Sequence, residues 1–182
     1  PAQTAQLTGG TTELTLVTGL STSSTHSVKF WALGLTNSAG NRWGSPGVSP
    51  TNIVRITWLF LDSGGSVSAY GSYEKRAIIY GDSITEGHRS LRNGNINSLG
   101  MGRSLGWYIG ESLGTEYTVA GFSGQDFGTS SPPALSTTWN QYSDGRSRSF
   151  SPAPDYVFSV MGSNNQASAA QVTSWITAVR AA

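Results

Sequence analysis

Hydrophobic residues recur along the chain in two different rhythms, and the change falls near residue 74. Before it, runs rich in β-branched and aromatic side chains alternate with Gly, Ser, Thr, Asn and Pro: Thr12 to Thr18, His26 to Leu33, Ile53 to Leu61 and Ser66 to Tyr70. Such runs predict strands of an antiparallel sheet. In the second, Val28, Phe30 and Ala32 alternate with Ser27, Lys29 and Trp31, the period of a strand with one buried face. No helical period of useful length interrupts them, so residues 1–73 are expected to form a small β-sandwich, although four strands are few for two packed sheets.

After residue 74 the rhythm becomes strand, loop, helix. Ala77 to Tyr80, Tyr117 to Ala120 and Asp155 to Met161 are short apolar runs of the kind found in parallel strands covered on both faces. Leu105, Ile109 and Leu113, with Tyr108 beside them, lay one apolar stripe along a helix. Ala169, Val172, Ile176 and Val179, with Trp175 alongside, lay a second. This alternation predicts an α/β domain over residues 74–182, with a parallel sheet and helices on its faces. Loops that follow the strands at their carboxyl ends are where open α/β sheets hold ligands.

Composition removes several function classes. With 182 residues and 37% hydrophobic content the chain can supply a core. Its charged residues make up 12% and its formal net charge is +1, so no broad positive field exists to hold nucleic acid or an anionic membrane. There is no cysteine, which excludes disulfides and thiolate chemistry, and the histidines His26 and His88 show no metal-ligand spacing. No cofactor and no metal are expected. No apolar stretch approaches a membrane span, and the first residues lack the regions of a signal peptide; Pro1 implies a chain cut or processed at its start. Heavy use of Gly, Ser, Thr and Asn with little charge suggests a secreted or surface protein of bacterial type.

Each strand of the second half ends in a glycine-bearing loop: "GDSITEG" from Gly81, "GFSG" from Gly121 and "MGSNN" from Met161. Taken alone, Ser83 and Glu86 are spaced as a capping box, which would start a helix and do nothing more. Likewise, the glycines could only turn the chain and Asn164 could cap the last helix. A chemical reading competes with this one, because a serine at a strand end can act as a nucleophile when donors around it receive the charge that its attack creates.

Together the three segments resemble the SGNH, or GDSL, hydrolase superfamily, whose members cleave esters on a three-layer α/β/α sheet. The resemblance spans roughly Arg76 to Ala182 and implies Ser83 as nucleophile, with Gly124 and Asn164 joining the Ser83 N–H in an oxyanion hole. Asn165 stands where the family has aspartate. The family's general base is a histidine in a later D-x-x-H block, and none occurs before Ala182, so the sheet is expected to be incomplete and the base to lie outside this chain, in a continuation or companion segment. His88 is read as a bystander of the nucleophile segment and His26 as structural. "GRSLG" at Gly102 spells a nucleophile elbow, but a polar loop precedes it, so Ser104 is read as an early helix residue.

The β-rich half also resembles the small jelly-roll domain that precedes the hydrolase domain in some carbohydrate esterases of this superfamily. That resemblance implies an acylated carbohydrate, acetyl foremost, as substrate. Trp31, Trp43 and Trp58 are either core residues or sugar-stacking platforms, and Trp139 to Phe150 is a cleft-rim loop or a polar connection. The competing classes are a carbohydrate-binding or surface-structural protein with a degenerate hydrolase half, and a lipid or thioester hydrolase.

Overall fold

The computed structural model describes residues 13–28, 35–36, 58–68, 73–87, 90, 98–99, 104–128, 133–143 and 145–182. The remainder of the expected N-terminal strands, together with Trp31, Trp43, His88 and Gly102, lies outside the described residues. By its contacts the chain divides into two units, Pro1–Phe30 and Trp31–Ala182.

In the first unit, residues 13–28 carry neither strand nor helix. The Ser21 and Ser23 hydroxyls meet at 2.8 Å, and His26 Nε2 lies 3.0 Å from the Ser21 carbonyl oxygen. Leu14, Val17, Leu20 and Val28 are exposed. The strand expected to reach Thr18 and the buried face expected to begin at Val28 are thus not formed in the described residues. A β-branched run becomes a strand only when a neighbouring strand pairs with it, which the run's own side chains do not supply.

The described elements of the second unit are, in order, β1 (Leu35–Thr36), β2 (Arg76–Gly81), α1 (Ser83–Glu86), β3 (Ser98–Leu99), α2 (Leu105–Leu113), β4 (Glu116–Gly121), α3 (Leu135–Thr138), β5 (Gln141–Ser143), β6 (Arg146–Ser147), β7 (Tyr156–Val160) and α4 (Ala169–Arg180). β1 pairs with β3 antiparallel. Residues 58–61, the described end of the third expected strand, are not in a ladder, and Trp58 and Phe60 are 78% and 74% exposed.

The sheet that organises the unit has the order β4-β2-β7, and both pairings are parallel. Ile79 sits between Val119 and Phe158, and Gly81 between Gly121 and Val160. The three apolar runs therefore form the strands that their composition predicts, and β2, flanked on both sides, is buried from Ala77 to Gly81. This is a mixed α/β fold built on a parallel three-stranded sheet.

Side chains alternate across the sheet, and helices meet it on both faces. On one face α2 approaches closely because Gly106 and Gly110 present no side chain: a Cβ at Gly106 would fall 2.7 Å from Val119 Cγ1, and one at Gly110 2.3 Å from the Tyr117 ring. On the other, Ile78, Tyr80 and Ala120 form a core with Phe127, Leu135, Trp139 and Trp175, and Val157, Val172 and Val179 pack at its margin. Trp175 stands edge-on to Tyr80 at 5.9 Å and to Phe127 at 5.7 Å. The buried Tyr80 hydroxyl donates to the Trp139 carbonyl at 2.8 Å, and burial pushes its pKa up to about 12. Arg148 lies 6.0 Å from the Tyr80 ring centroid, and the same burial lowers the pKa of its guanidinium.

The segment from Trp139 to Phe150 is more than a polar connection. β5 and β6 form an antiparallel hairpin, and Trp139 and Phe150 stack at 5.4 Å over the core. The Asp144-Gly145 dipeptide, with Gly145 at φ +66°, is a hairpin signal that the sequence carried.

Candidate active site

β2 delivers the nucleophile candidate. Its last residue is Gly81, Asp82 follows, and Ser83 opens α1, a single turn closed by Gly87 at φ +90°. Asp82, not Ser83, caps this turn: its Oδ1 accepts from Ile84 N at 3.0 Å. The capping box that the Ser83/Glu86 spacing suggested is not formed, because Glu86 turns away to the neighbouring loop. There its Oε2 accepts both the N–H and the hydroxyl of Ser123, at 2.7 and 2.8 Å. Ser83 is thus left without a structural duty, and its hydroxyl has no partner among the described residues.

The loop after β4 lies beside it. Phe122 N donates to Gly81 O at 3.0 Å, carrying the β2–β4 pairing one step past the strands. Gly121 has no room for a side chain, since a Cβ there would sit 2.5 Å from Glu86 N and 2.9 Å from Thr85 C, both backbone atoms. Gly124 takes φ +80°, a left-handed conformation that glycine adopts without strain. The next two residues are anchored: Gln125 donates to Pro133 O at 2.9 Å and to Thr138 Oγ1 at 3.0 Å, and Asp126 Oδ1 accepts from Gly128 N at 2.9 Å. Both are 2% exposed.

The loop after β7 closes the arrangement. Ser163 donates its hydroxyl to Asp82 Oδ2, Asn164 Nδ2 donates to Gln125 O at 2.9 Å, and Asn165 Nδ2 donates to Asp126 Oδ2 at 2.6 Å. Asn164 does not cap the last helix: Ser168 does, in a reciprocal capping box with Gln171. The three loops are therefore bonded in a ring, β2 to β7 through Asp82–Ser163, β7 to β4 through the two asparagines, and β4 back to α1 through Ser123–Glu86.

Ser83, Gly124 and Asn164 follow the carboxyl ends of three adjacent parallel strands. Among the described residues the N–H groups of Ser83 and Gly124 have no partner. Asn164 spends one of its two amide hydrogens on Gln125, which fixes the plane of the group and leaves the second available. A small recess of about 80 Å³ lies beside this set, lined by Asp126, Phe127, Gly128, Asn165, Gln166 and Gln171. Ser104 is the N-cap of α2, buried, and accepts from Trp107 N at 3.0 Å. Of the residues that brace the loops, Asp82, Ser123 and Asp126 are not singled out by the sequence, although Asp82 stands inside the GDS triplet itself, and Glu86 is marked only as a capping partner of Ser83.

No family model matches the chain. No curated protein matches it either. Among solved structures the fold is similar to that of a family two carbohydrate esterase from Cellvibrio japonicus, at 15% identity and a TM-score of 0.49, over 63% of this chain and 40% of that protein. The chain thus spans less than half the length of that protein.

Proposed function

We propose that the chain is part of a serine ester hydrolase of the SGNH/GDSL type that removes acyl groups, acetyl foremost, from a carbohydrate outside the cell. In this reading residues 1–73 are a jelly-roll-like domain and residues 74–182 the first part of a three-layer α/β/α hydrolase domain. Ser83 Oγ attacks the ester carbonyl, its proton passes to the base, and the alcohol leaves with a proton returned to it. Water then cleaves the acyl-serine. Negative charge on the former carbonyl oxygen is met by the Ser83 N–H, the Gly124 N–H and the second hydrogen of the Asn164 amide, and each such donor contributes about 10²–10³ in rate. The base is a histidine of a D-x-x-H segment outside residues 1–182.

The observation that supports this reading is the ring of hydrogen bonds that ties the loops of Ser83, Gly124 and Asn164 to one another while the Ser83 hydroxyl has no partner among the described residues. The acylated carbohydrate rests on the resemblance of the N-terminal segment.

The test is aryl acetate hydrolysis by the 182-residue chain with and without a D-x-x-H-bearing continuation. The chain alone should work barely above background, because serine chemistry without its base keeps only positioning and the oxyanion hole. The completed protein should be active, and Ser83→Ala should abolish that activity. Strong turnover by the isolated chain that is lost on His88→Ala would make His88 the base.

The high exposure of Trp58 and Phe60 favours one second reading, a carbohydrate-binding protein that does no chemistry. It would be selected if the completed protein retained polysaccharide, lost it on Trp58→Ala with Phe60→Ala, and cleaved no ester.

A further inference from the structure

The departure at Asn165 has a counterpart on the facing loop. Asn164 and Asn165 donate their side-chain amides to consecutive residues, the carbonyl of Gln125 and the carboxyl of Asp126, at 2.9 and 2.6 Å. The acceptor is the more deeply set partner: Asp126 is 2% exposed, and its other oxygen takes Gly128 N. Where the SGNH pattern places an acid after the oxyanion-hole asparagine, this chain has an amide there and an acid across the gap. We propose that Asp126 and Asn165 form an acid–amide clasp that positions Asn164; the proposal rests on the hydrolase reading above.

The physical case is one of directionality. An amide held by a single hydrogen bond can swing about χ1 and χ2, but two consecutive rungs fix the peptide between residues 164 and 165 against residues 125 and 126. Turning Asn164 away then requires Asn165 to break its 2.6 Å hydrogen bond to the buried Asp126 carboxyl as well, so both rungs are lost together. Asn165 acts through Asn164 and is a positioning residue.

The hydrogen-bond inventory also says which substitutions the clasp tolerates. With Asn165→Asp, two carboxyl groups face each other with no donor between them and repel. Adding Asp126→Asn repairs the geometry: the amide introduced at position 126 can accept from Gly128 N with its oxygen and donate to the new carboxylate with its nitrogen, so both of these contacts are again matched.

The experiment uses the whole chain and two readouts, thermal melting and the side-chain amide signals of Asn164 in a ¹H–¹⁵N spectrum, assigned by their loss in Asn164→Ala. Asn165→Asp should lower the melting temperature by about 5 °C and move the Asn164 side-chain amide signals from their positions in the unaltered chain, since the bond to Gln125 O is loosened. The double variant should recover both. If Asn165→Asp proves unfolded, Asp126→Asn, which keeps a weaker amide–amide contact, should move the Asn164 signals part of the way. Unmoved Asn164 signals in both single variants would overturn the clasp, and so would a double variant that melts normally with its Asn164 signals still displaced. A separate arm tests the hydrolase reading: sulfonyl fluoride labelling of Ser83 in the completed protein, read by intact mass. No labelling there, with the Asn164 pattern as expected, would remove the hydrolase reading and the catalytic purpose of the clasp with it.

Discussion

Asp82 and Ser163 stand 81 residues apart in sequence and are joined by a hydrogen bond at the carboxyl ends of two neighbouring parallel strands. The same buried carboxyl caps α1 through Ile84 N. Asp82→Ala removes both contacts and should cost about 2–4 kcal/mol in chemical denaturation. Asp82→Asn keeps a cap and can donate to the Ser163 hydroxyl, so it should lose much less. Equal losses in the two variants would mean that the Asp82 side chain carries neither contact.

Gly121 is where β4 passes closest to the turn that carries Ser83. A Cβ there meets backbone atoms of Thr85 and Glu86, which cannot rotate aside as a side-chain tip can. Gly121→Ala should destabilise by about 1–3 kcal/mol and displace α1. In the completed protein it should lower kcat more than its stability loss accounts for, as read by turnover well below the melting temperature.

Asn164 offers a cleaner test of the proposed oxyanion hole. Asn164→Ala should reduce kcat of the completed protein by about 10²–10³ with little change in KM, since the lost donor acts on charge that develops in the transition state. A rise in KM at constant kcat would assign Asn164 to ground-state binding instead.

The chain's pH response has a definite sign at Lys75 and Asp155. Their ion pair is 2.9 Å long, and it holds the Asp155 carboxyl below its usual 3.8, helped by the Arg76 N–H. A depressed carboxyl stabilises the fold above its usual pKa and loses that contribution as pH falls through the folded value. Lys75 is raised above its usual 10.5, chiefly by its hydrogen bond to Asp155, so its share is present below that pH and fades above it. Asp155→Asn should therefore lower the melting temperature slightly between pH 5 and 10, the effect being screened at this exposed site. The difference should vanish at pH about 2.

Trp175 binds α4 to the sheet through the edges of Tyr80 and Phe127, yet its buried Nε1 has no partner among the described residues. Trp175→Ala should cost about 3–5 kcal/mol. Trp175→Phe keeps ring contacts and discards the unmatched donor, so its loss should be well under half of that.

The strands and main helices were legible as unbroken apolar runs and helical periods, but burial was not: only β2 is buried along its length, and α2 turns Gly106 and Gly110 to the sheet while Leu105, Tyr108 and Leu113 of its apolar stripe are exposed. Ala77 to Tyr80 and the stripe from Leu105 to Leu113 fall inside the elements observed. Letters at strand ends also named the residues that the loops carry. What failed were inferences from local spacing that a long-range contact overrides. Glu86 is three residues from Ser83, as a capping box requires, but Ser123 offers it two donors at once. Alternation at Val28 suggests a buried face, but burial depends on a partner that alternation does not supply. The bracing residues were illegible for the same reason: Asp126 and Asn165 have meaning only once β4 and β7 flank β2.

The central position of β2 has a kinetic consequence. Its pairing with β7 joins Ala77 to Tyr156, across most of the α/β half of the chain, whereas its pairing with β4 joins Ala77 to Tyr117. Contacts of such sequence separation pay their loop-closure entropy before any stabilisation returns, so they form late and slowly. β2 with α2 and β4 can assemble as an early unit, but the Ser163 and asparagine links cannot exist until β7 docks. The loop arrangement around Ser83 should therefore be completed only in the last phase of refolding, when β7 and the α4 that follows it dock.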